Sequence, residues 1–198
     1  DANNEYFSEG ISEELLDLLA KITELRVAAR TSSFSFKGSN KKIEEIGREL
    51  RVAYLLEGSV RRAGNQVRIT AQLIRTESGF HLWSETWNRS LDDIFAVQAE
   101  IAAEVVRQLK LKLLAVAPEV EETIPEAYTL YLQARHLGRQ GTAEAYVHSI
   151  ELVKQALAID PSYAPGWNLL ATNYLNQGGM GLRSMAEGFS LARESAAR

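Results

Sequence analysis

The sequence predicts a layered domain of helices and sheet, α+β or α/β, followed by an all-α helical array. Three observations predict it. Residues 66–75 alternate, with Val67, Ile69, Ala71 and Leu73 on one side and Gln66, Arg68, Thr70 and Gln72 on the other, the period of a half-buried antiparallel strand. Ile94, Val97, Ile101, Val105 and Leu109 recur at helical spacing. All four prolines (Pro118, Pro125, Pro161 and Pro165) lie in the second part, a composition shift near residue 116.

In chain order, residues 8–20 read as a helix. Ile11, Leu15, Leu16, Leu18 and Leu19 keep helical spacing, Ser8 or Ser12 can cap it, and Glu13 and Glu14 suit the dipole at its start. Residues 25–29 read as a short buried strand, 31–38 as a polar turn carrying Phe34 and Phe36, and 42–50 as a second helix with Ile43, Ile46 and Leu50 on one face. Residues 53–62 are rich in β-compatible types and end at the turn Ala63, Gly64, Asn65; Glu77, Ser78 and Gly79 mark a second turn. Residues 80–88 form the third strand, with Trp83 and Trp87 on one side and Leu82, Ser84 and Thr86 on the other, which completes a three-stranded meander. Ser90 reads as the N-cap of a long helix from 91 to about 114, with Asp93 in place of the usual capping-box glutamate. Its apolar stripe is expected to cover the meander.

Four separated runs carry a family resemblance: Tyr6, Phe7, Ser8, Glu9, Gly10, Ile11, Ser12, Glu13, Glu14 and Leu15; Val27 to Phe34 with Arg30 and Thr31; Leu56, Glu57, Gly58, Ser59, Val60, Arg61 and Arg62; and His81, Leu82, Trp83 with Asp93, Ile94, Phe95. In this order they resemble the TolB amino-terminal-domain-like module, over roughly residues 5–112. The resemblance implies an α/β layer fold with a mixed sheet and an opening strand, which this sequence lacks before its first helix.

Residues 117–125 hold polar and charged types between two prolines and read as a hinge. The domain boundaries expected are therefore 1–115, a linker at 116–125, and 126–198. The last part resembles tetratricopeptide repeats, paired helices with a period of about 34 residues. Residues 127–137 give a first helix with Ala134 at the small packing position, and 149–159 its partner, with Val153, Ala156 and Leu157 inward. Asp160, Pro161, Ser162 and Tyr163 match the family's closing turn, and Trp167, Leu170, Ala171 and Tyr174 its large, large, small, large spacing. Between Ala134 and Ala171 the period runs slightly long, with the insertion at Gln140 to Ala143; Gly178 to Gly181 read as a loop, and 184–198 as the second partner helix. Two units are fewer than the roughly three a stack needs, so another element is expected to cover the open end.

The chemistry expected is sparse. With no cysteine and only His81, His136 and His148, which never pair at ligand spacing, neither thiol chemistry nor a metal site is expected. No phosphate-binding glycine loop is present. The hydroxyls of residues 31–35 have no neighbouring base and read as a turn bonding its own backbone, and Asp92 and Asp93 as helix-capping residues. Asn88, Arg89 and Ser90 match a glycosylation sequon, a pattern common by chance. No enzymatic activity and no cofactor are expected of this chain. A net charge of −4 argues against bulk attraction to nucleic acid, and no apolar run reaches a membrane span of about 20 residues.

One constellation suits binding. Tyr131, Arg135 and Arg139 share a helix face at i, i+4 and i+8, and Asn168, Thr172 and Asn176 do the same in the second unit. Arginines facing amides suit an acidic or carboxylate-ended peptide. Arg61, Arg62, Arg68 and Arg75 on the meander have Glu57, Glu77 and Glu85 nearby in sequence and read as a salt-bridged surface.

A TolB-like module before tetratricopeptide repeats resembles the carboxy-terminal part of bacterial class III adenylate or guanylate cyclases. It implies a regulatory, protein-binding role with the catalytic domain elsewhere. The alternatives are the sensory region of a winged-helix transcriptional regulator, or a periplasmic envelope scaffold. The cytoplasm is the expected compartment, the periplasm the alternative. The start at Asp1 without methionine and the uncapped helical pattern at Arg198 read as a piece of a longer protein. The lacking strand and the unfinished repeat favour a homo-oligomer.

Overall fold

The computed structural model describes residues 2–23, 25–109 and 121–198. Strands β1 (Tyr54–Ala63), β2 (Gln66–Arg75) and β3 (His81–Ser90) form a sheet in that order, antiparallel at both pairings. The register sets Leu56 against Leu73 and Leu73 against Trp83, then Val60 against Ile69 and Ile69 against Trp87. This makes one apolar face, on which Val67, Ile69, Ala71, Leu73 and Trp87 are buried. A 3-10 turn (Leu91–Asp93) leads into α4 (Ile94–Gln108), whose Ile94, Val97, Ile101 and Val105 are buried. The Trp87 indole N–H donates to Glu100 at 2.8 Å and ties the helix to the sheet. Ser90 caps the turn by accepting from the Asp92 amide, so Asp92 rather than Asp93 meets the cap. The far end expected for this helix, from residue 110, lies outside the described residues, as does most of the expected hinge.

Helix α1 (Ala2–Ala20) starts well before the cap signals at Ser8 and Ser12. Phe7 is 1 % exposed, and its burial outweighs the weak intrinsic helix signals there. Its later residues Leu18 and Leu19, with Ile22, pack on Ala102, Val105 and Val106 of α4. The short helix α2 (Arg30–Phe34) takes the place of the expected polar turn, and α3 (Ile43–Leu50) follows.

Two expectations are corrected. Residues 25–29 form no strand and Val27 is 37 % exposed. An apolar run makes a strand only where a neighbour accepts and donates its ladder bonds, and here none does. The sheet of the described residues is wholly antiparallel, so the mixed sheet implied by the TolB resemblance is absent and the fold is α+β.

The chain divides into a unit of Ile11–Val120 and a unit of Asp1–Gly10 with Glu121–Arg198, so α1 gives residues to both. In the second unit α5 (Pro125–Gly138), α6 (Ala143–Ile159), α7 (Ala164–Gly179) and α8 (Met185–Ala196) pack each on the next. Ala134, Val153 and Ala156 are fully buried, beside Leu157, Leu170, Ala171 and Tyr174. Small side chains there let the helix axes approach. Helix α6 begins earlier than residue 149 because Thr142 caps it, accepting from the Ala145 amide at 3.2 Å. Gly178 and Gly179 are helical rather than loop, and Gly178 is buried. Gly10 of α1 abuts Leu132 of α5.

Asp160 closes the α6–α7 turn. Its carboxylate accepts from the Ser162 amide at 3.0 Å, the Ser162 hydroxyl at 2.6 Å and the Thr123 hydroxyl at 2.5 Å. The Ser162 hydroxyl, then Thr123, hold the carboxyl below its usual range. A carboxylate lowered in the folded state stabilises above the unfolded value of about 3.9 and loses that contribution as pH falls through its folded pKa. The wild-type melting temperature should therefore drop more steeply below about pH 4 than that of Asp160→Asn, followed by circular dichroism. Parallel acid slopes would refute this role.

Candidate functional site

The α5 stripe is built on an aromatic base. Tyr131 is only 6 % exposed, held edge-on to Tyr163 at 5.2 Å between ring centroids and stacked beside Tyr128 at 6.4 Å. Its hydroxyl accepts from Arg135 at 3.4 Å. That bond ties the half-buried Arg135 to the ring's hydroxyl, and the fork of donors on a guanidinium suits a planar acceptor. Arg139, at the α5 C-cap, is exposed at the residue level, yet partial desolvation draws its guanidinium down to about 10, opposed by the charge of Glu9. At neutral pH it remains a cation. Glu9 also meets His136 Nδ1 at 3.2 Å, so α1 sets a carboxylate beside the end of this stripe.

On α7, Asn168 and Thr172 are exposed and Asn176 half-buried. The Thr172 hydroxyl donates to the Asn168 backbone carbonyl at 2.9 Å. Helices α5 and α7 pack on each other. The structure thus joins Tyr131 to Arg135 directly, while the α7 residues stand on a neighbouring helix.

Two features lay beyond the sequence reading. The buried Ser149 hydroxyl donates to the Ala134 carbonyl at 2.6 Å, and the Asn173 amide donates to Ser149 at 2.7 Å, a polar chain across α5, α6 and α7. The signal was a serine and an asparagine on faces otherwise apolar. The second is an open groove of about 410 Å³ lined by Lys154, Leu157, Trp167, Tyr174, Leu191 and Arg198. Trp167 and Tyr174 lie seven residues apart and so share one side of α7, nearly opposite Asn168, Thr172 and Asn176.

Elsewhere the hydroxyls of Ser33 and Ser35 donate to the Ala29 and Ser32 carbonyls, local backbone bonds. Among the described residues no three His, Cys, Asp or Glu side chains are placed to hold a metal ion, and no helix is long and apolar enough to cross a membrane.

The fold and this surface define an α+β chain whose last four helices carry a polar, arginine-bearing face. No family model matches it. The chain is similar to a Rhizobium meliloti (strain 1021) protein named "Putative adenylate cyclase 3", 39% identical over 204 aligned residues. The match covers 98% of this chain and 35% of that protein, so the chain spans about a third of the length of the relative it matches.

Proposed function

We propose that this chain is the non-catalytic regulatory and protein-interaction region of a bacterial signalling protein, an adenylate cyclase whose catalytic domain lies outside it. The observation that carries this reading is the 39% identity running through nearly the whole chain to one region of a protein named as an adenylate cyclase. The two halves are read as a TolB-like domain over 1–115 and two tetratricopeptide-type helix pairs over 126–198, joined at 116–125. The buried small residues Ala134, Ala156 and Ala171 support the second assignment. Residues 2–10 of α1 cluster with these helices, and in this reading they cover the open end.

Tyr131, Arg135 and Arg139 with Asn168, Thr172 and Asn176 form the binding groove in this reading. Arg135, braced on the Tyr131 hydroxyl, takes the ligand carboxylate bidentately, and the α7 amides bond its backbone. Binding there relays to the output domain through the helices it orders. The partner is a protein or peptide with an acidic or carboxylate end.

Replacing Arg135 and Arg139 together by alanine should weaken capture of the partner in a pull-down by about tenfold or more, without lowering the melting temperature. Unchanged capture would sink the groove. The purified chain should also make no cyclic nucleotide from ATP or GTP; measurable product would overturn the non-catalytic reading itself.

A further inference from the structure

We infer that the outer face of the meander, at its β1–β2 turn end, binds an acidic protein segment through Arg61 and Arg68. The sheet register sets Arg61 directly opposite Arg68, and Arg68 opposite Asn88. All three are exposed, on the face away from the buried Ile69 and Leu73. Side chains directly opposite on antiparallel strands stand about 5 Å apart, where like charges repel.

The acids close in sequence do not relieve this pair. Glu57 is on the same face but four residues along β1 from Arg61, about 13 Å away. Glu85 lies opposite Ala71, on the other face, and Glu77 belongs to the turn at the far end of the sheet. Asp92, near the same turn, is bonded to Ser90 and Asn65. The next row inward is Ser59, Thr70 and Thr86, with the Thr70 and Thr86 hydroxyls bonded to each other at 3.1 Å. These rows thus present two guanidiniums, an amide and a line of hydroxyls, rich in donors and without a carboxylate of their own.

A small anion is held in a concave site, whereas a sheet face is flat, so several contacts from a larger partner are needed. The net charge of −4 makes the basic patch local rather than general. Nucleic acid is captured by extended positive surfaces, whereas a local pair suits an acidic protein segment read by charge complementarity. This site is separate from the groove of Arg135 and Arg139 and stands without it.

Fluorescence anisotropy on the full chain, with labelled hexaglutamate at low ionic strength, tests the assignment. The double variant Arg61→Ala/Arg68→Ala should bind about tenfold more weakly, while melting no lower than wild type because a repulsion is removed. All variants are compared in an Arg135→Ala/Arg139→Ala background, which removes any hexaglutamate held by the groove of those residues. The reversal Arg61→Glu/Arg68→Glu should lose hexaglutamate and gain hexalysine. Unchanged binding in the Arg61/Arg68 variants, or a lowered melting temperature in the alanine pair, would overturn the site. Tighter binding of a labelled oligothymidylate than of hexaglutamate would overturn the acidic-protein assignment in favour of nucleic acid.

Discussion

Gly58→Ala should destabilise the sheet unit by about 3 kcal/mol, the upper end of what overpacking costs. Gly58 lies in β1 opposite Ala71 of the central strand. A Cβ at this position would stand 2.0 Å from the Thr70 carbonyl oxygen and 3.2 Å from the Ala71 Cα. Both are backbone atoms of a strand paired on each side, so neither can recede without breaking ladder bonds. A glycine inside a strand is ordinarily a weakness, and here it is the residue that lets the two backbones meet. For a unit of this size the loss corresponds to a fall in melting temperature on the order of 10–20 °C. Tryptophan fluorescence in a Trp167→Phe background follows it, since the remaining indoles, Trp83 and Trp87, belong to β3. Gly179→Ala is the control: a Cβ there meets nothing within 4 Å, and little change is expected. A Gly58→Ala protein that melts with the control would refute the steric account.

Arg30→Ala should cost about 2 kcal/mol through the carboxylate it leaves behind. Glu13, on α1, is 2 % exposed at its side chain and is ion-paired with Arg30 at the start of α2. Taking one partner from a fully buried pair costs roughly 3–5 kcal/mol; the figure is lower here because the Arg30 side chain is 33 % exposed and partly screened. Arg30 also lies over the Phe34 ring at 4.5 Å, a cation–π interaction that the same variant removes. The double variant Glu13→Leu/Arg30→Met should recover most of the stability, because an apolar pair of similar volume carries no charge to desolvate. Chemical denaturation of the two singles and the double closes the cycle. A double variant no more stable than Arg30→Ala would show that the charge pair is not what matters.

Both sites fall in runs that the sequence sets apart. The run containing Glu13 and the run containing Arg30 meet as an ion pair. The run containing Gly58 marks a close backbone approach. Neither meeting was legible, because sequence spacing reports faces within an element and not partners across elements.

Where the pattern is local, the sequence determined the outcome. Period-two alternation in residues 66–75 set which side of β2 is buried, and the two tryptophans of β3 fell on that same side, as the register requires. Turn residues placed the strand ends, and Ser90 placed a helix start where its hydroxyl accepts from a backbone amide.

Only the tertiary structure decided the rest. Residues 25–29 have a strand's composition and no strand, because ladder bonds need a neighbour. Helix α1 extends to Ala2 because Phe7 is buried, and Gly178 is helical because it is packed beside Met185 and Gly188. The meander arginines were read beside glutamates close in sequence. Pairing then placed Arg61 against Arg68 and moved Glu85 to the other face. Charge and burial are set by who stands opposite, and a chain's own order does not state that.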